Sequence, residues 1–112
     1  MASTNYNFLF FISTSILLVC CSPISFKPTQ DDVGLANKKW TNVTIEQLNA
    51  GFKFYTAKCS GCHFLPVPNE YSEKRWLMIL PEMSEKSKLS HEEYDLIQKY
   101  VITKSYAFTK KK

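Results

Sequence analysis

Two kinds of hydrophobic pattern divide the chain. Residues 8–19 are apolar almost without a break, interrupted only by Ser13, Thr14 and Ser15. From residue 45 onward, apolar positions instead recur three and four apart, the spacing that gathers them on one face of an α-helix. Ile45, Leu48, Phe52 and Tyr55 make such a stripe and predict a helix over about residues 45–58. Thr44 stands at the N-cap position, with Gln47 three residues on to complete a capping box. Gly51 lies beside the stripe. A glycine inside a helix costs up to ~1 kcal/mol relative to alanine, so its presence predicts a second helix crossing closely there.

A second helix is predicted over residues 71–80, capped by Asn69, with Trp76, Leu77 and Leu80 inward and Glu73, Lys74 and Arg75 outward. Pro81 is expected to end it, because the residue before a proline is biased out of the helical region. A last helix begins at Ser90, with Glu93 completing another capping box and Tyr94, Ile97, Tyr100 and Val101 as its buried face. Between the first two helices, Pro66 and Pro68 exclude helix continuation. Residues 22–38, with Pro23, Pro28, Asp31, Asp32 and Gly34 and little periodicity, read as a linker. The organisation expected is a signal over residues 1–21, a linker over 22–38 and one all-α domain over 39–112.

The first 26 residues carry no charge. Their apolar run suits the hydrophobic region of a signal peptide and falls short of the ~20 residues that a spanning helix needs. No Lys or Arg stands near Met1, which keeps an uncleaved anchor as an alternative. The run closes with Leu17-Leu18-Val19-Cys20-Cys21-Ser22, which resembles the lipobox of bacterial lipoproteins. The acylated residue is then Cys21 or Cys20. Cys20 is a small residue before Cys21, whereas Val19 is bulky before Cys20, which favours Cys21. A periplasmic protein held at a membrane by an N-terminal lipid or anchor is the expectation.

The chemistry is concentrated in Cys59-Ser60-Gly61-Cys62-His63, the attachment pattern of a c-type haem. Thiols at this separation can each form a thioether to one haem vinyl group, and the adjacent histidine then reaches the iron as proximal ligand. Two rivals fit less well. A thioredoxin-like pair places its nucleophile at a helix N-terminus, where the dipole favours the thiolate, but Cys59 ends a helical pattern. A structural zinc site needs a further ligand pair, and only His91 remains as a fourth ligand. The four cysteines divide into a pair at the export signal and a pair for one covalent haem c, leaving no structural disulfide to expect.

Around this motif the chain resembles the class I c-type cytochromes, small monohaem bacterial proteins. Gly51, Tyr55 and Cys59 fall on the family's recurring arrangement of glycine, aromatic and haem motif, and the resemblance spans residues 48–101. It implies a cytochrome c-like fold of three main helices around one covalently bound haem. It implies also that the last helix crosses at Gly51, bringing Tyr100 near it, and that the Pro66 carbonyl or neighbouring backbone accepts the Nδ1 hydrogen of His63. Residues 76–90 are similar to the distal segment of small bacterial cytochromes c, in which a tryptophan-bearing helix leads to a methionine ligand. Met78, Met83 and His91 are the candidate sixth ligands. Met78 reads as core filler within the second helix, and His91 as an exposed imidazole at the start of the last. Met83 follows Pro81 in an expected loop rich in Ser, Glu and Lys, where it has no obvious core to join. With the resemblance, it is the expected distal ligand opposite His63, and a His/Met pair raises the reduction potential.

The formal charge of +4 lies entirely beyond Phe26, and two haem propionates would reduce it to about +2. No cluster of Arg with aromatic residues supports nucleic-acid binding. Lys110, Lys111 and Lys112 read as a solvated tail with the capacity to touch anionic lipid or an acidic partner. No general base, nucleophile or second metal cluster stands out, so the expectation is an electron-transfer protein, not an enzyme, meeting redox partner proteins. The alternatives are a five-coordinate haem c module that binds or senses a gas, and a haem subunit of a larger oxidoreductase. A folded part of about 70 residues has a marginal core, so the haem-free chain is expected to be largely unfolded.

Overall fold

A computed structural model of the chain describes residues 26–61 and 64–109. The expected signal and lipidation site at Cys20 and Cys21, the motif residues Cys62 and His63, and the three terminal lysines lie outside them. The described residues form helices α1 (Gln30–Ala36), α2 (Ile45–Cys59), α3 (Glu73–Lys86) and α4 (His91–Thr109), with a single 3-10 turn at Pro68–Glu70 and no strand. The all-α expectation is met, with one helix more than the three predicted.

The additional helix lies in the stretch read as a linker. Asp32 makes it possible: the carboxylate accepts from the Thr29 backbone N–H at 2.8 Å and its hydroxyl at 3.1 Å, closing the first turn. Asn37 closes the other end. Its amide donates to the Val33 and Val43 carbonyls at 3.0 and 2.9 Å, and its oxygen accepts from Val43 N–H at 2.8 Å. The loop between turns at Asn42, which has φ 58°, a left-handed value that asparagine tolerates better than most residues. Ala36, Val43 and Leu48 are buried together, with Val33 and Trp40 against them. The segment from α1 to α2 is therefore part of the folded unit.

α2 begins and runs as its pattern requires. The Gln47 N–H donates to the Thr44 hydroxyl at 3.3 Å, and the Gln47 side chain accepts from Thr44 N–H at 3.2 Å. α4 starts with the second expected capping box, in which Ser90 and Glu93 exchange bonds of 2.9 and 3.1 Å. Ile97, Tyr100 and Val101 are buried as expected; Tyr94 is half-buried. Burial then continues without alternation through Ile102, Thr103, Lys104 and Ser105. A helix buried on every side has neighbours all round it, and α4 packs against α1, α2, α3 and the 3-10 turn. Lys104 survives there because its ammonium meets Asp32 at 2.7 Å, with both side chains buried. A buried charge needs such a partner.

α3 departs most from expectation. It starts at Glu73, where the Ser72 hydroxyl accepts from Arg75 N–H at 3.3 Å, so Ser72 is the cap and not Asn69. It also runs straight through Pro81 to Lys86. A proline removes one backbone donor from the helix interior, but Pro81 is exposed, where water can serve the orphaned carbonyl. Good helix formers follow it, and Lys86 bridges back to Glu82 at 2.7 Å. The helix ends only at Ser87 and Lys88, where the Leu89 N–H donates to the Ser84 carbonyl at 3.1 Å and Lys88 takes φ 52°. Met83 is accordingly on a helix, not in a loop. Trp76 and Leu80 face inward as predicted, but Leu77 is 41% exposed and Met78 is 61% exposed, so Met78 fills no core.

Candidate functional site

Cys59 is the last residue of α2, held where the helix ends against the start of α4. The Lys58 ammonium meets the Glu93 carboxylate at 3.2 Å across that junction. The α2–α4 crossing itself is set by Gly51. A Cβ there would lie 2.8 Å from the Tyr100 Cβ and closer still to the Leu96 backbone, so the predicted approach of Tyr100 to Gly51 is present.

From this crossing an aromatic cluster leads to the cavity beside Cys59. Phe52 and Tyr55 pack on Tyr100 with ring centroids 5.4 and 5.7 Å apart. Tyr55 meets the edge of Trp76 at 6.1 Å, and Tyr71 packs on Trp76 at 5.2 Å. The Trp76 indole N–H donates to the Pro68 carbonyl at 2.8 Å in a buried bond, which satisfies its only polar atom. The Tyr55 hydroxyl donates to the Pro66 carbonyl. Burial, then the negative charge available at Cys59, pushes the Tyr55 phenol far above its ordinary value, so it stays a protonated donor.

Tyr55, Cys59, Pro66, Trp76, Ile79, Leu80 and Met83 line one cavity of about 290 Å³, with Tyr71, Lys86 and Ser87 completing its wall. The α3 contribution follows from helical spacing, since residues 76, 79, 80 and 83 share one face. Of the expected site residues, the fold thus brings Cys59 and Met83 to the same apolar cavity. Met78 lines a different groove, and His91 is exposed at the first turn of α4. Cys62 and His63 lie outside the described residues. Tyr71 and Ile79 were not anticipated as lining residues; Ile79 was legible as the missing i+3 position between Trp76 and Met83.

The lining is mostly apolar, with two sulfur atoms among it. One thiol and one thioether are its soft donors, and the rest is aromatic or aliphatic apart from Lys86 and Ser87 at the end of α3. Its volume stands at the low end of small-molecule sites. Among the described residues, no three His, Cys, Asp or Glu side chains converge in a way that could hold a metal ion. Compared with known proteins, the chain matches no family model, no curated protein and no solved structure.

Proposed function

We propose that this protein is a membrane-tethered, periplasmic monohaem c-type cytochrome that carries electrons, with Cys59 and Cys62 in thioether linkage and His63 and Met83 as axial ligands. The observation that supports this reading is that Cys59 and Met83, chosen from sequence for complementary roles, line the same cavity. When bound, haem c supplies a one-electron iron couple.

The chain's own residues divide the remaining work. The Met83 thioether is a soft donor suited to ferrous iron. Trp76, Ile79 and Leu80 keep water from the cavity. Tyr55, fixed in the core, holds the Pro66 carbonyl, and that carbonyl has a second lone pair with which it can orient the His63 imidazole.

The test is an absorption spectrum of the ferric and ferrous protein, with and without carbon monoxide, after maturation in a haem-attaching periplasm. The expected result is a c-type ferrous spectrum unaffected by carbon monoxide, with the weak red band of ferric methionine ligation. Met83→Ala is expected to remove that band and to open carbon monoxide binding, while Met78→Ala changes neither. Rapid carbon monoxide binding by the unsubstituted protein would favour the five-coordinate gas-binding module instead. Absence of covalent haem would overturn both.

A further inference from the structure

An open groove of about 1070 Å³ runs between the start of α3 and the end of α4, meeting the Cys59–Met83 cavity only at Tyr71, which lines both. Leu77, Met78, Tyr106 and Phe108 line it, and the first three are among the most exposed large apolar side chains of the described residues. Single exposed apolar residues are ordinary, whereas several sharing one groove mark a contact surface. On α3, Leu77 and Met78 are exposed while Trp76 and Leu80 are buried, so the groove uses a different face of the helix from the cavity.

The point where the N-terminal segment joins the fold says what covers this groove. The Phe26 ring packs on Phe108, a groove residue, at 5.4 Å between centroids. Its carbonyl accepts from the Tyr100 hydroxyl at 3.0 Å. The chain therefore leaves the fold at the groove's edge. Five steps of chain separate Cys21 from Phe26, and a fully extended chain covers at most ~3.6 Å per step, so a lipid on Cys21 is tethered within about 18 Å of Phe26. An uncleaved anchor ending at Val19 has a reach of about 25 Å on the same arithmetic. Either attachment keeps Phe26, at the groove's edge, within that distance of the bilayer.

The charge on this side agrees with an anionic surface. Lys27 follows Phe26 in the chain, and Lys74 lines the groove. Of the acidic residues on the groove, Glu73 is paired with Lys39, leaving Glu70 as the opposing charge. Apolar and tyrosine side chains flanked by lysines are the composition of a membrane-interface contact.

We propose that this groove is the face on which the protein lies against an anionic lipid bilayer, an inference that rests on the tether in the function proposed above. The side of α3 that lines the cavity is then turned from the lipid, toward the compartment where soluble redox partners diffuse.

The test uses the full chain, matured with its N-terminal segment and placed in vesicles of phosphatidylethanolamine and phosphatidylglycerol. Nitroxides are attached at Leu77→Cys and Met78→Cys, with Lys53→Cys on the exposed side of α2 as control and the unsubstituted chain labelled in parallel as background. Flotation reads the tether, and the ratio of collisions with oxygen to those with a water-soluble nickel chelate reads docking. The expected result is co-flotation with a severalfold higher ratio at positions 77 and 78 than at 53, reduced in phosphatidylcholine vesicles. Co-flotation with equal ratios at all positions overturns the docking face while sparing the tether. Failure to float overturns the tether, and the docking face with it. Spin–spin broadening between labels at 78 that rises with protein density puts a second copy in the groove and overturns the lipid contact.

Discussion

The carbonyl oxygen of Leu96 lies 2.1 Å from where a Cβ on Gly51 would stand. The α2–α4 crossing is thus a contact of backbone on backbone that a side chain would force apart. It fixes Tyr55 against Tyr100, and through Tyr55 the position of Pro66 beside the candidate haem cavity.

Gly51→Ala should destabilise the protein although alanine favours helix, because displacing α4 costs about 1–3 kcal/mol of overpacking or more. Gly34→Ala is the control. Gly34 also lies within a helix, but a Cβ there meets nothing within 4 Å, so the substitution should stabilise by about 0.5–1 kcal/mol. Denaturant unfolding of both variants checks the contrast. Equal effects would remove the close-crossing argument.

Asp32 and Lys104 join α1 to the middle of α4 through a buried ion pair. Asp32→Asn or Lys104→Met alone leaves a buried charge without its partner, for which about 3–5 kcal/mol is the usual loss. Asp32 also closes the first turn of α1, so its substitution should cost more than that of Lys104. The Asp32→Asn, Lys104→Met double variant should recover much of the loss. A thermodynamic cycle on the three variants measures the coupling.

Pro81 interrupts the hydrogen bonding of α3 at an exposed position. Pro81→Ala should raise the melting temperature, since an interior proline costs up to ~3 kcal/mol against alanine. A lower melting temperature would mean that the proline ring itself contributes to the packing that seats Met83 in the cavity wall.

The Glu93 carboxyl is held below its ordinary value by the Ser90 backbone N–H first and by Lys58 second. A group with a depressed folded pKa contributes stability above its unfolded pKa, near 4.5 here, and loses it as pH falls through the folded value. Stability should therefore fall on acidification below about 4.5. Glu93→Gln should flatten that part of the pH profile, as read by melting temperature across acidic buffers. An unchanged profile would show that the α2–α4 junction does not titrate.

Much of the framework is local and was readable from the chain alone. The starts of α2 and α4 are settled by capping boxes, in which Thr44 meets Gln47 and Ser90 meets Glu93 within one turn. The stripe Leu48, Phe52, Tyr55 and the spacing of the Cys59 motif are equally short-range, as was the need for a close neighbour at Gly51. Tertiary contacts decided the rest. α1 is short, contains Gly34, and becomes worth forming only because Lys104, far along the chain, meets Asp32, and because Ala36 packs beside Leu48. α3 passes Pro81 because one lost hydrogen bond at a wet surface weighs less than burying Trp76, Ile79, Leu80 and Met83 on one face. That longer helix is what puts Met83 on the cavity of Cys59, since a local bias yields wherever distant apolar contacts outweigh it.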